Sequence, residues 1–387
     1  MVEMTSRERI VAAYRHEPVD RVPLSPRVWA WLLSVEGADD VAAHLRLAKR
    51  YPMDIQLSRN PFQHVTTLDR VVGPVAPGVR VDVKEWREAR LTMVRRTFHT
   101  PAGTLSDVTG YPPAHDPDFG VQPNPVRVEF LVKTRDDLDA LRCLMPPPRS
   151  VADFESCRRM EAEIGDRGLF LVEIPSPLSH RGGWACSMQD LMVWYHVDRR
   201  LFDDVFELFR GQMLEETRLT LDAGFRYIFA NYYYESLSAG WSPAIWREVF
   251  QPTLRELCEL VHGYGGMVNF YDDGKCAGIL ELVAEAGVDV LQTLTPPPVG
   301  DIDLAEAKRR IGRRVSLMGY VDLLYVIKLG TPELIDRAVR EAIETAAPSG
   351  GFILGTSDSI REGTPEENIR AYFGAALKYG REMGSKA

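Results

Sequence analysis

The sequence predicts an α/β protein built on a (β/α)8 (TIM) barrel, and three observations carry that prediction. Short continuous apolar runs alternate with helix-like segments, eight such runs occur, and 387 residues suffice for one barrel with additions. The runs start at Val22 and Met53 and recur at residues 169–174, 227–230, 267–271, 288–292, 315–319 and 351–355. Apolar runs separated by helices are strands buried on both faces, which means a parallel sheet. A doubly wound open sheet is the alternative built from the same elements.

Taken in order, residues 5–16 carry Ile10, Ala13 and Tyr14 at helical spacing behind Thr5 or Ser6 as N-cap, and Pro18 ends this N-terminal helical segment. A turn from Asp20 leads into a short extended stretch that ends near Arg27. A helix over 41–50 precedes Met53-Asp54-Ile55-Gln56-Leu57, a strand with one acid inside it; by itself that acid reads as a solvated or Arg-paired edge carboxylate. Alternation over 91–98 and 104–108 around Thr100-Pro101-Ala102-Gly103 predicts an inserted β-hairpin. The proline-rich stretch 111–125 reads as a loop, Thr134 as the cap of another helix, and Pro146-Pro147-Pro148 as a stiff connector. We expect one domain over 1–387, with 85–150 as hairpin and loop elaboration.

Net charge is -9 with no basic run, so no nucleic-acid partner is expected. Five cysteines without a CxxC pair point to reduced thiols and a cytoplasmic location. No apolar stretch is long enough to cross a membrane. GxGxxG after a strand, GxxxxGK[ST], HExxH and GxSxG are all missing, so dehydrogenase, P-loop, zincin and α/β-hydrolase chemistries lack their motifs.

In a barrel of this kind, chemistry sits at the C-terminal strand ends. Residues following the runs are therefore candidates: Arg27, Asp54, the loop Ser179-His180-Arg181, Asn231 through Tyr232, Tyr233, Tyr234 and Glu235, then Tyr271-Asp272-Asp273-Gly274-Lys275, Gln292, Tyr320 with Asp322, and Asp358 with Arg361. If the strand continues through Asp272 and Asp273, only one faces the axis. Locally, Asp272-Asp273-Gly274 reads equally as a turn in which one Asp caps a helix and Gly274 supplies a positive φ. His262, near a helix end, is read as structural.

Several segments together resemble the uroporphyrinogen decarboxylase superfamily. They are Thr5-Ser6-Arg7-Glu8-Arg9, Pro18-Val19-Asp20-Arg21-Val22-Pro23, Thr100-Pro101-Ala102-Gly103-Thr104, the helix start Ser242-Pro243, Glu285-Ala286-Gly287-Val288-Asp289, and Gly350-Gly351-Phe352-Ile353-Leu354-Gly355 followed by Thr364-Pro365-Glu366-Glu367-Asn368. The resemblance implies a TIM barrel, a homodimer and one of two chemistries. The decarboxylases carry an arginine-rich segment after the first strand for the substrate's carboxylates; here Pro26-Arg27-Val28-Trp29-Ala30-Trp31-Leu32 holds one arginine, while Asp54 falls near the family's acid. The corrinoid-linked methyltransferases hold zinc with an HxCG and a late cysteine; Tyr271 and Asp273 stand at the His and Cys of HxCG, and Asp358 at the final cysteine.

Hard ligands thus replace soft ones, which leaves an oxygen-rich site for zinc or another divalent metal at Asp273 and Asp358, or no metal. The first reading is a corrinoid-dependent methyltransferase or demethylase of a small methylated substrate. In it Asp273, Asp358 and Tyr271 do the chemistry, Arg27 fixes an anionic group, and His180, Tyr232, Tyr233, Tyr234, Glu235, Trp241, Gln292 and Arg361 line the pocket. The corrinoid sits on a separate protein that docks at the mouth. The alternative is a decarboxylase of a tetrapyrrole or simpler carboxylated substrate, without a cofactor and with Asp54 as proton donor. The third is a barrel that has lost catalysis and serves as a binding subunit.

Overall fold

The computed structural model describes residues 3–28, 31–37, 40–68, 70, 72–114, 116, 118 and 123–384. Trp29 and Ala30 of the first strand-end segment, and residues 115, 117 and 119–122 of the proline-rich loop, lie outside the described residues. Among the described residues eleven strands occur: β1 (Ile55–Arg59), β2 (Arg80–Glu88), β3 (Leu91–Thr100), β4 (Gly103–Tyr111), β5 (Val126–Glu129), β6 (Gly168–Pro175), β7 (Tyr227–Asn231), β8 (Met267–Tyr271), β9 (Val290–Thr293), β10 (Ser316–Val321) and β11 (Phe352–Thr356). The described residues group into two compact units, one within Met1–Arg59, Glu155–Glu173 and Gly224–Ala387, the other within Asn60–Phe154 and Ile174–Ala223.

The first unit is the barrel. Seven parallel strands follow the order β1-β6-β7-β8-β9-β10-β11. The eighth run, predicted at Val22, contributes a single bridge from Leu24 to Leu354 instead of a ladder. Its backbone nonetheless bonds both neighbours. Leu354 N donates to Pro23 O (2.9 Å) and Ser25 N to Leu354 O (2.8 Å) on the β11 side, while Asp54 N donates to Leu24 O (2.7 Å) on the β1 side. Two prolines, Pro23 and Pro26, remove the donors that a longer ladder would need, so the strand stays short but still closes the sheet.

The N-terminal end is plugged by α1 (Ser6–Tyr14). Thr5 and Glu8 form a reciprocal capping box at its start, which fixes where the helix begins. Ile10, Ala13 and Tyr14 enter the core beside Leu169, Leu171, Phe229, Tyr271, Val290, Met318 and Ile353. Ser316 Oγ, on the first residue of β10, donates to Ala13 O at 2.7 Å and pins the helix end there. Above the plug lies a polar layer: Tyr14 OH donates to Gln56 Oε1 (2.6 Å), and Asn269 Nδ2 donates to Tyr14 OH (2.9 Å) and Gln292 Oε1 (3.1 Å). This network occupies the barrel interior above the helix.

In the second unit the predicted hairpin is β3–β4, widened by β2 and β5 into a four-stranded antiparallel sheet. Arg96, on β3, is buried and holds Asp107 of β4 through Nε at 2.9 Å. The helix expected from Thr134 begins later, as Asp137–Leu144. The Asp137 carboxylate accepts from the amides of Lys133 and Thr134 (2.8 Å each), so the acid, not the threonine hydroxyl, organises that turn. Arg181 and Glu216 form a fully buried ion pair, yet burial pushes the Glu216 carboxyl up to about 7 against the pull of Arg181. Among the described residues no helix is long and apolar enough to cross a membrane.

Candidate active site

Alternation along β8 decides which acid faces the axis. Asn269 and Tyr271 point inward, Asn269 into the polar layer and Tyr271 into the core cluster. The ladder continues one residue past the strand: Asp272 N donates to Gln292 O (2.9 Å), and Asp272 O accepts from Thr293 Oγ1 (3.1 Å). Period-two alternation then turns Asp272 outward and Asp273 inward. Gly274 does not have the positive φ that a turn reading expects. Its role is close approach, because a Cβ there would lie 2.3 Å from Ser238 Oγ, the atom that accepts from Lys275 N at 2.7 Å.

Arg27 reaches the same place from the eighth strand. Its amide donates to Thr356 Oγ1 (3.1 Å) at the end of β11, and its carbonyl accepts from Ile360 N (3.1 Å). The guanidinium carbon stands 4.2 Å from the Tyr271 ring centroid and 5.8 Å from that of Phe229. Arg27 Nε is 3.5 Å from Asp358 Oδ1, with the two side chains only 23% and 19% exposed. Burial alone would lower the Arg27 guanidinium; Tyr271, Asp358, Glu173 and Asp273 outweigh it and hold it above its usual value. Asp358 is shared, since exposed Arg361 also pairs with it.

Beside this cation, the Tyr271 hydroxyl donates to Asp273 Oδ2 at 3.1 Å. Burial and then the Asp358 charge raise the Asp273 carboxyl from its ordinary value, against the opposing pull of Tyr271 and Arg27. Burial likewise pushes the Tyr271 phenol well up. The mouth therefore couples a permanent cation to a carboxyl whose proton is held more firmly than in water, an arrangement suited to general acid chemistry.

Other candidates fall into separate groups. Tyr233 is at the mouth, where burial raises it and Glu173 and Asp273 add to that; its ring meets Tyr234 edge-on at 4.4 Å. Tyr232 turns the other way, against Phe270 at 5.1 Å, and Trp241 packs on Phe250 while donating to Tyr234 O (2.8 Å), so both belong to the layer behind the strands. Glu235 is buried near Asp272, and Gln292 belongs to the polar layer. Tyr320 is turned by its φ of 91° toward Asp303 and Glu341 in the helices, and Asp322 caps the turn at Leu324 (2.9 Å). His180, in the second unit, holds a φ of 59° with its ring 4.4 Å from Trp184. His262 pairs with Asp289 at 3.0 Å, a structural role.

Asp54 lies at the opposite end of the strand from the mouth, because it precedes β1 instead of following it. It is fully buried and accepts from Ser6 Oγ (2.9 Å), Arg9 (2.6 Å), Arg21 (2.7 and 3.0 Å) and Leu24 N (2.9 Å). Of the two local readings the Arg-paired one agrees with this geometry and the solvated one does not, since the carboxylate is fully buried, and the proton-donor reading at the mouth does not fit this position. The sequence reading passed over Glu173. It ends the inward face of β6, accepts from Asn231 Nδ2 (3.0 Å) and bears on Arg27. The available signal was an acid inside an otherwise apolar run.

A divalent metal at Asp273 and Asp358 fits these side chains poorly. Among the described residues no group of three or more His, Cys, Asp or Glu is arranged to hold one. The guanidinium already pairs with Asp358 at 3.5 Å, and the nearest sulfur in sequence, Cys276, is fully buried with its thiol pushed well up.

Residues 79–379 match the family model for uroporphyrinogen decarboxylase (URO-D). Uroporphyrinogen decarboxylase 2, chloroplastic, from Arabidopsis thaliana is 26% identical over 254 residues, which cover 59% of this chain and 61% of that protein. A uroporphyrinogen decarboxylase from Crocosphaera subtropica is 31% identical over 100 residues, 26% of each chain. The chain thus spans less than two thirds of the length of these curated relatives. Among solved structures, a methyltransferase from Methanosarcina mazei superposes with a TM-score of 0.62 at 18% identity, covering 97% of this chain and 99% of the other, a likeness of fold.

Proposed function

Because this chain belongs to the uroporphyrinogen decarboxylase family, we propose that it is an enzyme that removes a methyl group from a small anionic methylated compound and passes it to a corrinoid carried on a separate protein. The observation that supports this is the placement of Asp273, an inward-facing acid raised by burial and bonded to the hydroxyl of Tyr271, whose ring carries the Arg27 guanidinium. Demethylation needs a proton on the departing heteroatom, and Asp273 supplies it. As the carbon–heteroatom bond breaks, the methyl group goes to the Co(I) acceptor and the heteroatom keeps the electron pair and takes the Asp273 proton. The new carboxylate is stabilised by the Tyr271 hydroxyl and by Arg27.

Charge argues against a tetrapyrrole substrate. Arg27 is already paired with Asp358 at 3.5 Å, and no arginine cluster accompanies it after the first strand, so a molecule with eight carboxylates lacks the several cations it needs. A small substrate with one carboxylate or phenolate suits the single buried guanidinium.

Decarboxylation of a small carboxylic acid is the second reading. It is favoured by Arg27 Nε, a buried donor without a hydrogen-bond partner, and by the name the curated relatives carry. In that reading Asp273 gives its proton to the carbon that loses CO2. Incubation of the purified protein with cob(I)alamin and a panel of methoxylated and N-methylated carboxylates separates the two. Methylcobalamin formation supports demethylation; CO2 release without it supports decarboxylation; neither, from any compound, removes both.

A further inference from the structure

We propose that the Arg27 guanidinium holds the place at this barrel mouth that a divalent metal ion would otherwise take, so that the site works with a built-in organic cation. The inference stands whichever bond the enzyme breaks. It rests on three observations in one small volume.

First, the cation is central. Arg27 lies 4.2 Å over the Tyr271 ring and 3.5 Å from Asp358, and Tyr271 in turn bonds Asp273 at 3.1 Å. Of the two carboxyl groups that would ligate a metal, Asp358 therefore already pairs with a positive charge, and Asp273 is tied to the aromatic ring that carries it. A dication within about 4 Å of a guanidinium meets repulsion that removes affinity by more than about 1000-fold in a partly buried site. Second, Asp273, Asp358 and Glu173 all bear on Arg27, which makes the guanidinium the shared counter-ion of the mouth. Third, Arg27 Nε is buried and has no hydrogen-bond partner. An N–H set this way is a directed donor, and it specifies an acceptor oxygen on the ligand, such as a carboxylate or phenolate, over a thiol.

A guanidinium and a metal ion differ in what they can do. Arg27 cannot exchange, cannot generate a hydroxide from bound water, and keeps its charge at every working pH. It orients an anionic oxygen and stabilises charge that develops next to Asp273.

The test uses the full-length protein, Co2+ as probe, equilibrium dialysis and the visible absorption of bound Co2+. Wild type and Arg27→Lys should retain no stoichiometric Co2+. Arg27→Met, which keeps the apolar stem and removes the charge, should bind it at least about 100-fold more tightly than wild type. Adding Asp358→Asn to Arg27→Met should abolish that gain, which locates the ion. Thermal melting of each variant checks that it is folded. Stoichiometric Co2+ in wild type that disappears in Asp273→Asn would overturn the proposal. So would a folded Arg27→Met that gains no affinity. Should Arg27→Met fail to fold, Arg27→Gln carries the same test, and the wild-type result alone remains able to refute it. None of these readouts depends on methyl transfer, so failure here is distinct from failure of the demethylase reading.

Discussion

Replacing Asp54 by Asn removes one negative charge from a fully buried position at the floor of the barrel. In the wild type this carboxylate faces Arg9 and Arg21, whose side chains are 4% and 16% exposed, and accepts the amide of Leu24. Arg9 keeps a second partner, since Asp20 takes its Nε at 2.6 Å and its Nη2 at 2.7 Å. Arg21 keeps only the carbonyl of Val22, at 3.2 Å. The substitution therefore leaves about one uncompensated, largely buried guanidinium, for which the expected loss is about 3–5 kcal/mol; the slight exposure of Arg21 puts it nearer 3. Urea unfolding followed by tryptophan fluorescence measures it. Pairing Asp54→Asn with Arg21→Met should recover a large part of the loss, because a neutral pair strands no charge. A loss under about 1 kcal/mol would mean the cluster behaves like an exposed ion pair and would refute this reasoning. Unchanged stability with turnover abolished would refute it differently, by returning Asp54 to catalysis.

Asp272 faces away from the mouth with Oδ2 buried and unbonded, and burial followed by Asp273 raises its carboxyl well above 3.8. Folding then favours the protonated form, so its contribution is present at low pH and is lost as pH rises toward the raised value. Asp272→Asn, which can still accept from Gly274 N, should flatten the decline of stability with rising pH and equal or exceed wild type above neutrality; a steeper decline would contradict this. Tyr271→Phe removes a bond that lowers Asp273, so the alkaline limb of the pH–rate profile should move to higher pH, and a move to lower pH would count against the pairing. Gly274→Ala should cost about 1–3 kcal/mol by overpacking against Ser238, and Ser238→Gly should relieve it, as seen in thermal melts; a neutral Gly274→Ala would remove the close-approach argument.

Most of the barrel was legible because buried parallel strands announce themselves as apolar runs. The run at 267–271 matches β8 residue for residue, and the 41–50 helix is seen as Val41–Arg50. What hydropathy could not reveal was how much ladder each run makes. The Val22 run closes the sheet with one bridge because prolines interrupt its donors. The site was legible in part. Arg27, Tyr271, Asp273 and Asp358 do converge, since strand ends meet at one mouth. Tyr232 and Trp241 do not, because alternation and a short turn aim them at Phe270 and Phe250, and spacing after a strand carries no sign of direction. Asp54 does not reach the mouth because it stands at the start of its run, before β1, and only residues that follow a strand arrive at the C-terminal end. Glu173 was missed because a single acid in such a run counts against the strand before it counts toward a site.

In the proposed demethylase Asp273 gives a proton at a mouth whose fixed cation is Arg27. Single-turnover methyl transfer to cob(I)alamin, measured across a pH series for wild type and Asp273→Asn with the best substrate of the panel, tests it most directly. Wild type should lose rate as pH rises through the raised range of Asp273, and Asp273→Asn should be slower by about 100-fold or more throughout the range where wild type is active. A wild-type rate that climbs with pH, or an Asp273→Asn enzyme as fast as wild type, would contradict it.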